Sequence, residues 1–276
     1  MPEGAHPYPR WDGPMRTGSP IGIIARQEIR RTVLNFSSQI VLILILAYTI
    51  VYLGQLFQSA RNGASDLHTL KTYVDFLNDL RFGALAVGGL MAGPALLEDV
   101  RKGGLELYLS RAVTRTDYLV GKILAVFGVV TASMVVPALL YWLATIMLFK
   151  THPAHWGLAL AGAMGYSLLW ALFVSGVGLG ISSIARSSLG GALLLIIGTV
   201  LLELFVVALL QPITRQKILQ VVSPLTALRA QTDWLFKYKS GVGFDYVWGL
   251  LVLGLLIIIG WGLVAWKHPR VRGAEA

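Results

Sequence analysis

Six long apolar runs, at roughly 38–57, 82–97, 119–149, 157–184, 189–210 and 246–266, divide the chain. Each is near or above the ~20 residues that a helix needs to cross about 30 Å of hydrocarbon. Lipid offers no hydrogen bonds, so each run must satisfy its own backbone groups, and runs of this length do so as helices. The second run is the shortest and carries Pro94, which makes its end the hardest boundary to place. Composition agrees: 55% of residues are hydrophobic and 13% charged, with a mean hydropathy of +0.68. That charged share is about half the usual one for a soluble domain. These features predict an all-α polytopic membrane protein with one transmembrane domain over 20–268. A flexible leader over 1–19 and a short tail over 269–276 flank it.

The leader, MPEGAHPYPRWDGPMRTGSP through Pro20, is rich in Pro and Gly and has no apolar core. It does not read as a signal peptide, so the first span is expected to act as the membrane-targeting anchor. With no cysteine in the chain, disulfide and thiolate chemistry are excluded. Six spans put both termini on one side. That side, which also holds residues 98–122 and Arg186, carries 14 of the 23 Lys and Arg residues; the opposite side carries 9. The positive-inside rule then places both termini in the cytoplasm, in a plasma-membrane protein. The net charge of +9 reads as contact with anionic headgroups of the bilayer, and no nucleic-acid motif accompanies it.

Before the first span, Ser19 can cap a helix whose first turn suits Pro20. Ile21, Ile24, Ala25, Ile29, Val33 and Phe36 fall on one face; Arg26, Gln27, Arg30 and Arg31 fall on the other. This pattern predicts an interfacial elbow helix with its basic side chains among headgroups. The segment 58–81 reads as an outer loop with a short surface helix bearing Leu70, Tyr73, Val74 and Leu77. In 150–156 the two His residues, with no third ligand type near, read as loop residues and not metal ligands. In 211–245, Pro212 ends the fifth span and Ser223-Pro224 opens a second short helical stretch. Ile213–Val222 and Leu225–Phe236 are too short to cross, so they are expected to dip into the outer leaflet and return, anchored by Trp234 and Tyr238.

Catalytic signatures are missing. A Walker A loop needs Gly, four residues, then Gly-Lys-Ser/Thr to wrap phosphates in backbone amides. Gly121-Lys122 is followed by Ile123 and has Thr116 where the first glycine belongs. No H-E-x-x-H is present, and an intramembrane serine protease built on Ser175 has no histidine within a span to use. Glu203 is the acid placed deep in a predicted span. It reads as a pathway or proton-coupled residue, or else as a protonated Glu bonded to a neighbouring helix or one lifted toward the outer surface. The first option would make the chain a proton-coupled secondary transporter, though that class usually shows several such residues and matched halves. The small-xxx-small pair Gly89 and Gly93 implies close helix packing, within the bundle or between two copies.

Between the second and third runs lies a charged island, EDVRKGGLELYLSRAVTRTDYLVGK, from Glu98 to Lys122. Gly103-Gly104 gives it a hinge, and Leu105, Leu107, Tyr108 and Leu109 give it an apolar stripe around Glu106. Thr114-Arg115-Thr116-Asp117 forms a capping box that launches the third span. The run Gly104-Leu105-Glu106-Leu107, Leu109-Ser110-Arg111, Arg115 and Gly121-Lys122 resembles the corresponding loop of type-2 ABC transporter permeases. The resemblance covers roughly residues 20–268 and includes the six spans, the elbow helix and the outer re-entrant pair. It implies a membrane subunit that works as a dimer, with an identical or homologous second permease copy. It also implies that the island is a coupling helix docking on a separate ATP-binding cassette ATPase subunit, which carries the ATP and Mg. Glu98, Arg101, Glu106, Arg111 and Arg115, with Arg186 as a smaller second contact, are the coupling residues so implied. Export is the implied direction. No catalytic residue, metal ligand or cofactor is expected in the chain itself.

Overall fold

The structure, a computed structural model, describes residues 19–63, 66–101, 113–149, 153–210, 213, 217–236 and 244–267. Ser19 caps α1 (Pro20–Leu34) by accepting the Gly22 amide at 3.2 Å, with Pro20 in the first turn. Asn35 then breaks the helix with an extended backbone (φ −75°, ψ 125°) and caps α2 (Phe36–Arg61) through the Ser37 amide. There follow α3 (Asp66–Arg101), α4 (Arg115–Phe149), α5 (Pro153–Ile184) and α6 (Ser188–Leu204). The fifth span continues as a π-helical turn over Phe205–Leu210; a 3₁₀ turn over Lys217–Val222 leads into α7 (Pro224–Phe236) and then α8 (Tyr246–Lys267).

Six helical stretches among the described residues are long and apolar enough to cross a membrane: Phe36–Arg61, Thr69–Asp99, Thr116–Phe149, Trp156–Ile184, Ser188–Leu209 and Tyr246–Trp266. The second begins well before the apolar run at 82. The separate surface helix expected over Leu70–Leu77 is instead the first part of α3, and Tyr73, Val74 and Leu77 are buried in the bundle. Asp75, Asn78, Asp79 and Arg81 depress the local hydropathy. Tertiary partners nevertheless let this stretch join the span. Tyr166 donates to Asn78 at 3.2 Å, Arg81 donates to the Leu225 carbonyl at 2.8 Å, and Trp170 donates to the Arg81 carbonyl at 3.1 Å.

The second and fourth spans are the most enclosed, and the first, fifth and sixth the least. α5 packs against α3, α4 and α8, while α6 lies mainly on α3. Aromatic rings fill the centre: Trp170 stacks on Phe173 at 4.9 Å, and Tyr141 stacks on both Tyr73 and Phe76 at 5.2 Å. α3 runs through Pro94 without ending, and beside the proline Ser182 of α5 donates to the Gly93 carbonyl at 2.9 Å.

Two glycine contacts set how close the spans come. A methyl on Gly93 would stand 2.5 Å from the Ser188 carbonyl, and one on Gly89 2.8 Å from Ile196, so the Gly89–Gly93 pair seats α6 within the bundle. At the α5–α8 contact, Gly176 and Gly180 face Gly260 backbone to backbone. A methyl on Gly260 would lie 2.5 Å from the Gly176 carbonyl.

Candidate functional site

At one end of the bundle α3 ends and α4 begins, and residues 102–112 join them. Glu106 and Arg111, with the rest of the apolar stripe, lie outside the described residues. Arg101 is the last residue of α3 and Arg115 the first of α4; their backbones are placed and their side chains lie outside the described set. The capping box forms as its residues predict. Thr114 Oγ1 accepts the Asp117 amide at 3.1 Å, and the Asp117 carboxylate accepts the Thr114 amide at 3.2 Å and its hydroxyl at 2.7 Å.

Just inside the island, the flanking helices are fastened by charge. Lys122, two turns into α4, is only 2% exposed. Its ammonium donates to Glu28 of α1 at 2.6 Å and lies 2.8 Å from the carboxylate of Asp99 on α3. Tyr118 donates to the same Asp99 oxygen at 2.7 Å, and the Tyr118 ring lies 5.6 Å from the ammonium. Three helices therefore meet on one buried cation. The two carboxylates exceed it by one negative charge. A knot of this kind is worth little as net stability, because desolvating the charges offsets their attraction, but breaking it by removing one partner is costly. Outside it, Arg31 of α1 pairs with Glu98 of α3 in a more exposed ion pair.

Gly121 makes the knot possible. A methyl there would stand 2.9 Å from Ile24 and 3.1 Å from the Ile21 carbonyl, so the missing side chain lets α1 reach α4. The Gly-Lys pair that fails as a phosphate loop is thus an approach point followed by an anchor. The buried stripe of α1 is Ile24, Glu28 and Thr32, with Ile29 and Ala25 partly covered. Val33 and Phe36, from the apolar face of the pattern, are not covered by the bundle and are 44% and 74% exposed. Arg26, Arg30 and Arg31 are all exposed, as the amphipathic pattern predicts.

Arg186 is exposed in the short link between α5 and α6, where Ser187 caps α6 by accepting the Gly190 amide at 3.0 Å. This link packs at Gly93 of α3, about 12 Å along the helix from Arg101 at 1.5 Å per residue, so it lies toward the same end of the bundle as the island.

Glu203 sits elsewhere, where α6 opens into its π turn. It accepts hydrogen bonds from Ser223 and, at 2.8 Å, from Thr226, both at the start of α7. These bonds match the reading of a carboxyl held by a neighbouring helix. The positive end of the α7 dipole adds to the fit.

Sequence reasoning passed over Glu28 and the Asp79 clasp. Glu28 is the one acid in α1, and its spacing of four from both Ile24 and Thr32 was the available signal. Tyr48 and Tyr52 of α2 donate to one oxygen of Asp79 on α3, at 2.6 and 3.0 Å. Nothing local in the sequence joins residues 27 and 31 positions apart.

Comparison with known proteins agrees with the architecture. Residues 23–268 match the model of a family described as ABC-2 family transporter protein. A search of curated proteins finds no match to the chain. The matched segment takes in α1 from Ile23 onward, all six spans and the island between α3 and α4, and the chain belongs to the ABC-2 family of transporter proteins.

Proposed function

We propose that the chain is the permease subunit of an ATP-driven exporter in the plasma membrane. Its termini and its island face the cytoplasm, and it pairs with a second permease copy. Residues 102–112 dock on a separate ATPase subunit, which binds and hydrolyses ATP with Mg. The observation that carries this reading is the knot on Lys122. The loop between α3 and α4 is flanked by helices that are fastened to each other and to α1. A push on the loop therefore reaches three helices together. Glu98, Arg101, Glu106, Arg111 and Arg115 are the coupling set, and Arg186 is a second, smaller contact. Arg26 and Arg30 on α1 suit the anionic headgroups of the inner leaflet.

The reading is tested by Glu106→Lys and Arg111→Glu in the permease assembled with its ATPase. Transport and permease-stimulated ATP hydrolysis fall at least tenfold while insertion and assembly of the permease itself persist. Coupling that survives both reversals sinks the docking claim. Nothing in the geometry favours a proton-coupled carrier built on Glu203.

A further inference from the structure

Asp79 is exposed on the face of α3 that meets α2, although it belongs to a stretch long and apolar enough to cross the membrane. Its depth can be read from its partner. Tyr48 stands at the middle of the 26-residue α2, about 18 Å from its first residue at 1.5 Å per residue. The carboxylate is thus at membrane depth and not at a helix end. Both tyrosines donate to Oδ2. Among the described residues no Lys or Arg pairs with Asp79. The carboxylates at the knot, by contrast, have basic partners. One turn outward Asp75 is also exposed, which adds a second negative charge to the same rim.

Beneath Asp79 runs a groove of about 280 Å³ between α2 and α3. Apart from Asp79 and the half-buried Tyr48, its walls are apolar: Val41, Leu44, Ile45, Leu80 and Ala86. A carboxylate at one end of an apolar trough is complementary to a molecule with a positive head and an apolar body. An anionic or neutral amphiphile would leave the charge uncompensated at membrane depth, where it is costly. A second copy of the chain fits less well. A two-fold contact centred here sets each surface against itself, so it would oppose the Asp75 and Asp79 carboxylates of the two copies.

We propose that the α2–α3 groove, lined at one end by Asp79 and Tyr48, binds amphipathic organic cations and forms part of the transported-substrate path. This rests on the reading of the chain as a permease and names its substrate class. The test uses the full chain in phosphatidylcholine nanodiscs without ATP. Radiolabelled octyltrimethylammonium is the probe, with octyl sulfate and octanol as competitors. The cation binds saturably, and neither competitor displaces it at equal concentration. Asp79→Asn weakens binding at least tenfold. Leu44→Trp, a substitution at an exposed wall position that fills the groove and leaves the carboxylate intact, weakens it comparably. Both variants are checked by thermal unfolding.

Equal binding by wild type and Asp79→Asn, or equal displacement by octyl sulfate or octanol, overturns the proposal. So does efficient disulfide cross-linking between copies through Asp75→Cys, in this otherwise cysteine-free chain, if the cation does not bind. Binding needs no ATPase subunit. Its loss in Asp79→Asn therefore reports separately from the loss of coupling in the Glu106 and Arg111 reversals.

Discussion

The knot on Lys122 and the clasp on Asp79 use the same chemical group for opposite ends. At the knot, Glu28 and Asp99 surround a cation that is almost wholly enclosed. At the clasp, a carboxylate meets only phenols and stays exposed. The carboxylates of the first share a buried cation from within the chain, so it fastens. The second keeps an acceptor facing outward, so it is suited to receive. Burial and pairing, and not residue type, separate a structural carboxylate from a receptive one in this bundle.

The largest expected effect comes from breaking the knot. Lys122→Met leaves Glu28 and Asp99 facing each other without their cation, and stability should fall by about 3–5 kcal/mol. A marked loss in thermal unfolding should be largely recovered when Glu28→Gln and Asp99→Asn are added. A single variant as stable as wild type would mean that the two carboxylates are not held there by the cation.

Next comes the packing that holds the remaining spans. Gly93→Leu must displace the Ser188 backbone, and overpacking of this kind costs about 1–3 kcal/mol. Thermal unfolding should show a drop smaller than that of Lys122→Met, and a larger one would shift the main fastening of the bundle from charge to glycine contacts. Arg31→Ala removes an ion pair whose side chains are 39% and 26% exposed, so its loss should lie near 0.2–1 kcal/mol. Glu203→Gln keeps an acceptor for Ser223 and Thr226 and should change stability by less than about 1 kcal/mol. Transport measured across pH should keep its profile in that variant; a displaced profile would return Glu203 to the pathway.

The local rules were the legible part. Ser19-Pro20 and the Thr114–Asp117 box act within one helical turn, so four adjacent residues contain the whole argument. The six spans were legible because lipid tolerates few other apolar patterns of that length. The outer part of α3 was not legible. Asn78 and Arg81 read as loop residues until Tyr166 and the Leu225 carbonyl supply their partners, 88 and 144 positions away. Lys122 was visible as a charge at the edge of a span, yet Glu28, 94 residues earlier, gave no sign of being its counterion. Long-range pairing decides which polar residues a span can carry, and hydropathy averages over it.

The glycine seam between α5 and α8 has a mechanical consequence. Gly260 lies against the backbone of Gly176 and Gly180, and its neighbours in sequence are Ile259 and Trp261. Trp261 already covers Gly176, where an added methyl would stand 2.8 Å from its indole nitrogen. Spans four and six are thus held at backbone distance, and any side chain at Gly180 or Gly260 would have to push the two helices apart.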